Sequence, residues 1–174
     1  MNSTGDILKI ILPSLIMLLA VYFMINRYFK DEERRRRFQA VAKNNEIITP
    51  LRLQAYERII LFLERISPEN LLVRIDKPGN TCRKLHADLL STIRAEYEHN
   101  LTQQLYVSTH AWEAVKNART YMIHLINTSF ENINPDEPSL SLSRIIMDKV
   151  MNQSVSLISE AIKIIKDELN QLSG

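Results

Sequence analysis

One uncharged stretch, Ile10 to Ile25 (IILPSLIMLLAVYFMI), constrains this chain more than anything else in it. Ile7, Leu8, Tyr28 and Phe29 carry the apolar run past Lys9 and Arg27. At about 1.5 Å per residue, a helix from Ile7 to Phe29 is about 34 Å long, enough to cross a hydrocarbon core of about 30 Å with some tilt. The length predicts a transmembrane helix. A buried helix of a soluble fold could be as apolar but would need no basic block after it, and here Arg27, Lys30 and Arg34 to Arg37 follow at once.

The same bases orient the helix. Only a short tail precedes the span, the six bases lie just beyond it, and Asp31, Glu32 and Glu33 carry little weight in the rule. The carboxyl side is predicted to be cytoplasmic and the amino terminus outside, in a single pass of the inner membrane. Lys9 and Arg27 can extend their stems back to the two headgroup layers. A cleaved signal peptide fits less well, because the tail is barely basic and no small-x-small site follows Ile25. Pro13 lies near the helix start, where a mild kink is the expectation.

Beyond the anchor, about 137 residues remain, the size of one ordinary domain with a hydrophobic core. Lysine and arginine number 22 against 20 acids. Five of those bases are Lys30 and Arg34 to Arg37, so the remaining domain is close to neutral and nucleic acid is not an expected partner. The single cysteine, Cys82, excludes an internal disulfide and reads as a small packed hydrophobe. Asn-x-Ser/Thr triplets at Asn2, Asn100, Asn127 and Asn152 read as chance matches, the last three falling in predicted helices on the cytoplasmic side.

With three glycines and few strand-like alternations, the fold class is all-α. The expected organisation is a transmembrane anchor over 1–30, a basic juxtamembrane helix and linker over 31–48, and a single cytoplasmic helical bundle over 49–174. The bundle should hold about four to five helices.

Asp31 to Lys43 should continue the anchor helix, and Asn44, Asn45 and Thr49-Pro50 should break it, with Thr49 capping a new helix over Leu51 to Ile66. Leu53, Tyr56, Ile59, Ile60, Leu63 and Ile66 form one face of that helix. Leu61 and Phe62 widen the face so far that a central place in the bundle is predicted. Ser67-Pro68-Glu69 starts a short helix to Ile75, and Lys77-Pro78-Gly79-Asn80 is a turn. Thr81 to about Val107 reads as a helix with a row of Leu85, Leu89, Ile93, Tyr97, Leu101 and Leu105. Such a row drifts about 40° per step, so a bend is expected near Asn100.

Ser108 should cap a helix over roughly Thr109 to Ile133, with Trp112, Val115, Met122, Ile126 and Phe130 inward. The last helix is predicted from Ser139 or Ser141 to Leu172. Its Met151, Val155, Ile158, Ile162, Ile165, Leu169 and Leu172 form a heptad seam. A coiled-coil dimer is the alternative, but isoleucine at d, a second stripe at Leu157 and Ile164, and uncharged Ser154, Ser159 and Ala161 favour packing within the bundle over self-association.

Two groups of residues invite a chemical reading. Arg34, Arg35, Arg36 and Arg37 would lie at headgroup level, where each base is worth about 1 kcal/mol toward an acidic leaflet, making anionic lipid a partner besides the bilayer. Thr92, Glu96, His99, Gln103 and Tyr106 recur at helical spacing, and Glu96 with His99 has the Glu-x-x-His spacing of di-metal helical bundles. Such a site needs a second pair, and none of His86, His110 and His124 has a glutamate three residues before it. A solvated polar face is the plainer reading, and a metal-binding or enzymatic bundle using Glu96, His99 and Gln103 is the rival. No zinc-protease motif, phosphate loop or serine elbow occurs, so neither a catalytic residue nor a cofactor is predicted. Trp112 reads as core.

The stretches TPLRLQAYERIILFLERISPENLLVR (Thr49 to Arg74) and IRAEYEHNLTQQLYVSTHAWEAVKNA (Ile93 to Ala118) resemble a family of uncharacterised bacterial proteins. The resemblance implies a short amino-terminal membrane anchor with a helical cytoplasmic domain, and it transfers no activity or site residue. The expected function is a single-pass membrane protein that presents a helical interaction or scaffold domain to an unidentified protein partner.

Overall fold

The computed structural model describes residues 3–152 and 156–173. Along the first helix the described side chains are those of 17–19, 21–28, 30, 32, 46 and 48 onward, and toward the carboxyl end they stop at Gln171. The elements are α1 (Ser3–Ile66), α2 (Pro68–Ile75), α3 (Cys82–Asn100), a 3-10 turn (Leu101–Leu105), α4 (Thr109–Phe130), α5 (Ser139–Met151) and α6 (Leu157–Ser173). Among the described residues there is no strand, only an isolated antiparallel bridge between Thr81 and Pro138, so the chain is all-helical as expected. It divides into two units, Met1–Thr49 and Pro50–Gly174.

The first unit lies on α1, and the break expected at Asn44, Asn45 and Thr49-Pro50 is absent, because α1 is assigned continuously through all four. The energetics explain the correction. Stopping and restarting a helix orphans four carbonyls and four amides, of which Thr49 could cap one. Continuing it forfeits the one bond Pro50 cannot make, at about 3 kcal/mol, and each asparagine adds less than about 1 kcal/mol.

In the second unit the end of α1 buries Ala55, Tyr56, Ile59, Phe62, Leu63 and Ile66, an i, i+3, i+4, i+7 pattern. Leu53 and Leu61 are exposed, so this segment packs by one face and is not surrounded as its composition suggested. That face joins one core with Leu85, Leu89 and Ile93 of α3, Val115, Met122 and Ile126 of α4, Leu142 and Ile146 of α5, and Ile158 and Ile165 of α6.

Local chemistry sets the boundaries. Ser67 turns away from helical geometry at φ −58° and ψ 143°, and its Oγ donates to the Glu64 carbonyl at 2.9 Å. The Asn80 amide donates to Lys77 O at 3.1 Å around Pro78 and Gly79. Gly79 has φ 88°, which a turn with proline before it demands and other residues rarely adopt. Thr81 caps α3, its Oγ1 accepting from the Lys84 amide at 3.3 Å. The amides of Cys82 and Arg83 donate to the carbonyls of Glu137 and Pro135 at 2.8 and 2.9 Å, so the loop before α5 satisfies two orphan donors of α3. At the far end Asn100 Nδ2 donates to Glu96 O at 2.8 Å and the chain tightens into the 3-10 turn, where the bend was expected. Ser108 caps α4 as expected, its Oγ accepting from the Ala111 amide at 3.0 Å.

The single last helix predicted from Ser139 or Ser141 to Leu172 is two helices. Asn152 Nδ2 donates to Asp148 O at 2.8 Å and closes α5, and the Ser156 carbonyl opens α6 by accepting from the Glu160 amide at 3.0 Å. Asn152 to Ser156 (NQSVS) is rich in side chains that compete with the helical backbone, which is the physical reason for the break. The heptad seam therefore does not run through one helix. Met151 is exposed and Val155 lies outside the described residues, as does the side chain of Leu172, while Ile158 and Ile165 are buried and Ile162 and Leu169 pack on the core. The closest partner of α6 is α4.

Candidate functional site

Three places could carry function, and the first is on α1. Met17, Phe23, Met24 and Tyr28 are between 69% and 75% exposed, and Leu18, Val21, Tyr22 and Ile25 are exposed with them. Successive helical residues turn by about 100°, so consecutive exposed positions from Val21 to Ile25 point all the way round the helix. Among the described residues no helix is long and apolar enough to cross a membrane, and the side chains of 7–16, the first part of the expected span, lie outside them. Arg34 to Arg37 sit on the α1 backbone, and their side chains too lie outside the described residues.

The polar face of α3 is the second place. Glu96 is largely buried and both its oxygens are taken: Arg65 Nη1 donates to Oε2 at 3.4 Å and Arg74 Nη1 to Oε1 at 3.2 Å. Arg74 Nη2 also donates to the Arg65 carbonyl at 3.3 Å. One carboxylate thus ties α1, α2 and α3 together. His99 and Tyr106 are exposed, Thr92 is half-buried, and Gln103 Nε2 meets Thr102 Oγ1 at 3.4 Å. Among the described residues no three of His, Cys, Asp and Glu gather as a metal site would require. The helical spacing of Glu96 and His99 was legible, but the two arginines come from 31 and 22 residues away.

Two further residues sit as expected. Cys82 is buried, its thiol donating to Pro138 O at 3.2 Å. Trp112 is buried and stacks on Tyr97 with ring centroids 5.7 Å apart. Arg119 lies 4.1 Å from the centroid of the Tyr97 ring, a cation–π contact that holds α4 to α3.

A polar cluster at one end of the second unit joins α1, α4 and α6. Glu168 accepts from the Ser108 amide at 3.2 Å and from its Oγ at 2.8 Å, which places a carboxylate at the positive start of α4. Tyr56 is buried with its hydroxyl near Glu168 and Arg52, and no group among the described residues makes a well-formed hydrogen bond to it. Burial pushes its phenol pKa up, the nearby Glu168 carboxylate adds to the rise, and Arg52 works against it.

The third place was not visible in the sequence. A groove of about 910 Å³ runs between α2, the turn after it and α5, with Leu72, Val73, Leu140 and Met147 on its apolar walls. Val73 is 86% exposed and Leu140 54%, unlike the apolar residues of the core beside them. Asp76, just beyond α2, closes one end by accepting from Ser139 Oγ at 2.6 Å and Ser143 Oγ at 2.8 Å. One turn back from Asp76, Leu72 of α2 and Ile146 of α5 line one small pocket inside the core. The end of α2 therefore meets the start of α5, and the two helices run antiparallel. That direction brings the exposed carboxylates of Glu69 and Asp148 to the end opposite Asp76, while Lys77 stays beside it. Neither Glu69 nor Asp148 is in an ion pair among the described residues. Leu72 and Val73 are neighbours on an eight-residue helix, and Leu140 and Met147 stand about two turns apart on a helix much later in the chain, which leaves little signal in sequence.

Comparison with known proteins adds a family and no chemistry. The profile of DUF7935, a family of unknown function, matches residues 2–172, and the chain belongs to that family. No curated protein and no solved structure matches it.

Proposed function

Proceeding from membership of that family, we propose that the chain is a single-pass membrane protein whose helical second unit serves as an interaction domain on the cytoplasmic side, with the amino terminus outside. The observation that carries the reading is the ring of exposed apolar side chains from Met17 to Ile25. Consecutive exposed positions surround the helix, so one packed neighbour could cover only part of them, whereas hydrocarbon covers all. A coiled coil would keep a polar outer face, and this segment (MLLAVYFMI) contains no charge or amide. Arg27, Lys30 and Arg34 to Arg37 on its carboxyl side support the orientation. Both oxygens of Glu96 are held by arginines, which leaves the rival metal reading without its first ligand.

The test is fractionation of cells that make the full chain. It should sediment with membranes, resist alkaline carbonate and be released by detergent, and deletion of 7–29 should move it to the soluble fraction. Full chain in the soluble fraction, or carbonate release, contradicts the proposal.

A further inference from the structure

We infer that the groove between α2 and α5 receives an amphipathic helix of a protein partner, laid with its basic end toward Glu69 and Asp148. Two antiparallel helices in contact leave a furrow between their ridges, and the element that fills such a furrow best is a third helix at an axial distance of about 8–10 Å. From Ser139 to Asp148 the furrow is about 13 Å long, the rise of between two and three helical turns. A helix of that reach sets two or three apolar side chains against Val73, Leu140 and Met147.

Charge gives the direction. Glu69 and Asp148 flank one end with no cation in an ion pair with them among the described residues, and Lys77 stands at the other beside Asp76, engaged by two hydroxyls, and Asp136, paired with Arg83 at 3.6 Å. Arg144 lies midway along α5, on the same wall. A partner with lysine or arginine at its Glu69 end and an acid or a bare helix end near Lys77 complements this pattern, and a uniformly acidic or lipid-like surface does not. The inference rests on the interaction reading above and is independent of the anchor, so membrane sedimentation and groove binding fail separately.

The experiment is a fluorescence-polarisation titration on the full chain in phosphatidylcholine nanodiscs. The probe is a synthetic helical peptide of about four turns, with leucines spaced three and four apart and two lysines at one end. Saturable binding is expected, weakened about tenfold or more by Val73→Asp with Leu140→Asp, a pair of exposed changes whose effect on folding is checked by circular dichroism. Glu69→Lys with Asp148→Lys should weaken the lysine peptide and strengthen the same peptide ending in glutamates. Three results would overturn the inference: no saturable binding, equal binding by the Val73 and Leu140 variant, or equal binding of the glutamate peptide to the unaltered chain. If the chain instead forms dimers that Val73→Asp abolishes, or empty nanodiscs bind the peptide as well, a second copy or lipid is the occupant and the inference fails.

Discussion

The Asp76 carboxylate accepts a hydrogen bond from Ser139 Oγ at 2.6 Å, joining the end of α2 to the start of α5 across 63 residues of chain. The residue at the α5 cap position is Pro138, which supplies no side-chain cap, and Asp76, held by the Ser139 and Ser143 hydroxyls, sets its charge near the positive end of the helix. Asp76→Ala is expected to destabilise the protein by about 1–3 kcal/mol, since the buried Ser139 hydroxyl loses its acceptor. Asp76→Asn should lose less. Denaturant unfolding of the full chain in detergent reads both, and an Asp76→Ala variant as stable as the parent would contradict this account of the groove.

Tyr56 offers a test with pH. Its raised pKa means the folded protein keeps the phenolic proton where the unfolded chain has lost it. Stability from this group is therefore complete below about pH 10 and declines as pH rises through the unfolded value toward the folded one. Tyr56→Phe removes both the titration and a buried hydroxyl whose contact with Glu168 is poorly formed, so it should change stability by no more than about 1 kcal/mol. Thermal unfolding followed from pH 8 to 11 should show a shallower alkaline decline in the variant. An identical slope would show that Tyr56 does not titrate as described.

Glu96 separates an ion-pair role from a metal role. Glu96→Gln should cost about 1 kcal/mol or less, because Arg65 and Arg74 are partly solvated and water screens their charges. His99→Ala should have no measurable effect on stability, since His99 is exposed. Elemental analysis of chelator-free protein decides the matter: stoichiometric metal lost in the double variant would reinstate the metal reading.

What the sequence made legible was short-range. Thr81 and Ser108 were visible as caps because a hydroxyl before an apolar periodic run has one favourable use, and Pro78-Gly79 was visible as a turn because few conformations suit that pair. Periodicity misled where a pattern outlived its helix. The seam through Ile158 and Ile165 keeps its phase across the break at Asn152, so spacing alone reported one helix. Pro50 misled in the opposite direction, since a strong local signal was outweighed by the orphaned groups a break would create. The Arg65 and Arg74 partners of Glu96, and the groove itself, depend on contacts between distant segments, for which no local pattern exists.

The arginine block gives a prediction that needs no folded unit. A peptide spanning Lys30 to Lys43 should co-sediment with anionic vesicles at low salt and dissociate as salt rises, with four arginines worth about 1 kcal/mol each and Asp31 to Glu33 opposing part of it. Equal sedimentation with neutral vesicles would limit the block to orienting the anchor.

Orientation in the membrane is the central claim, and paired reporters fused after Gly174 test it most directly. A reporter active only in the cytoplasm should be active and one active only outside should be silent. Changing Arg34 to Arg37 to glutamine should shift part of the population to the opposite orientation. Activity of the outside reporter on the unaltered chain, with silence of the cytoplasmic one, would contradict the account.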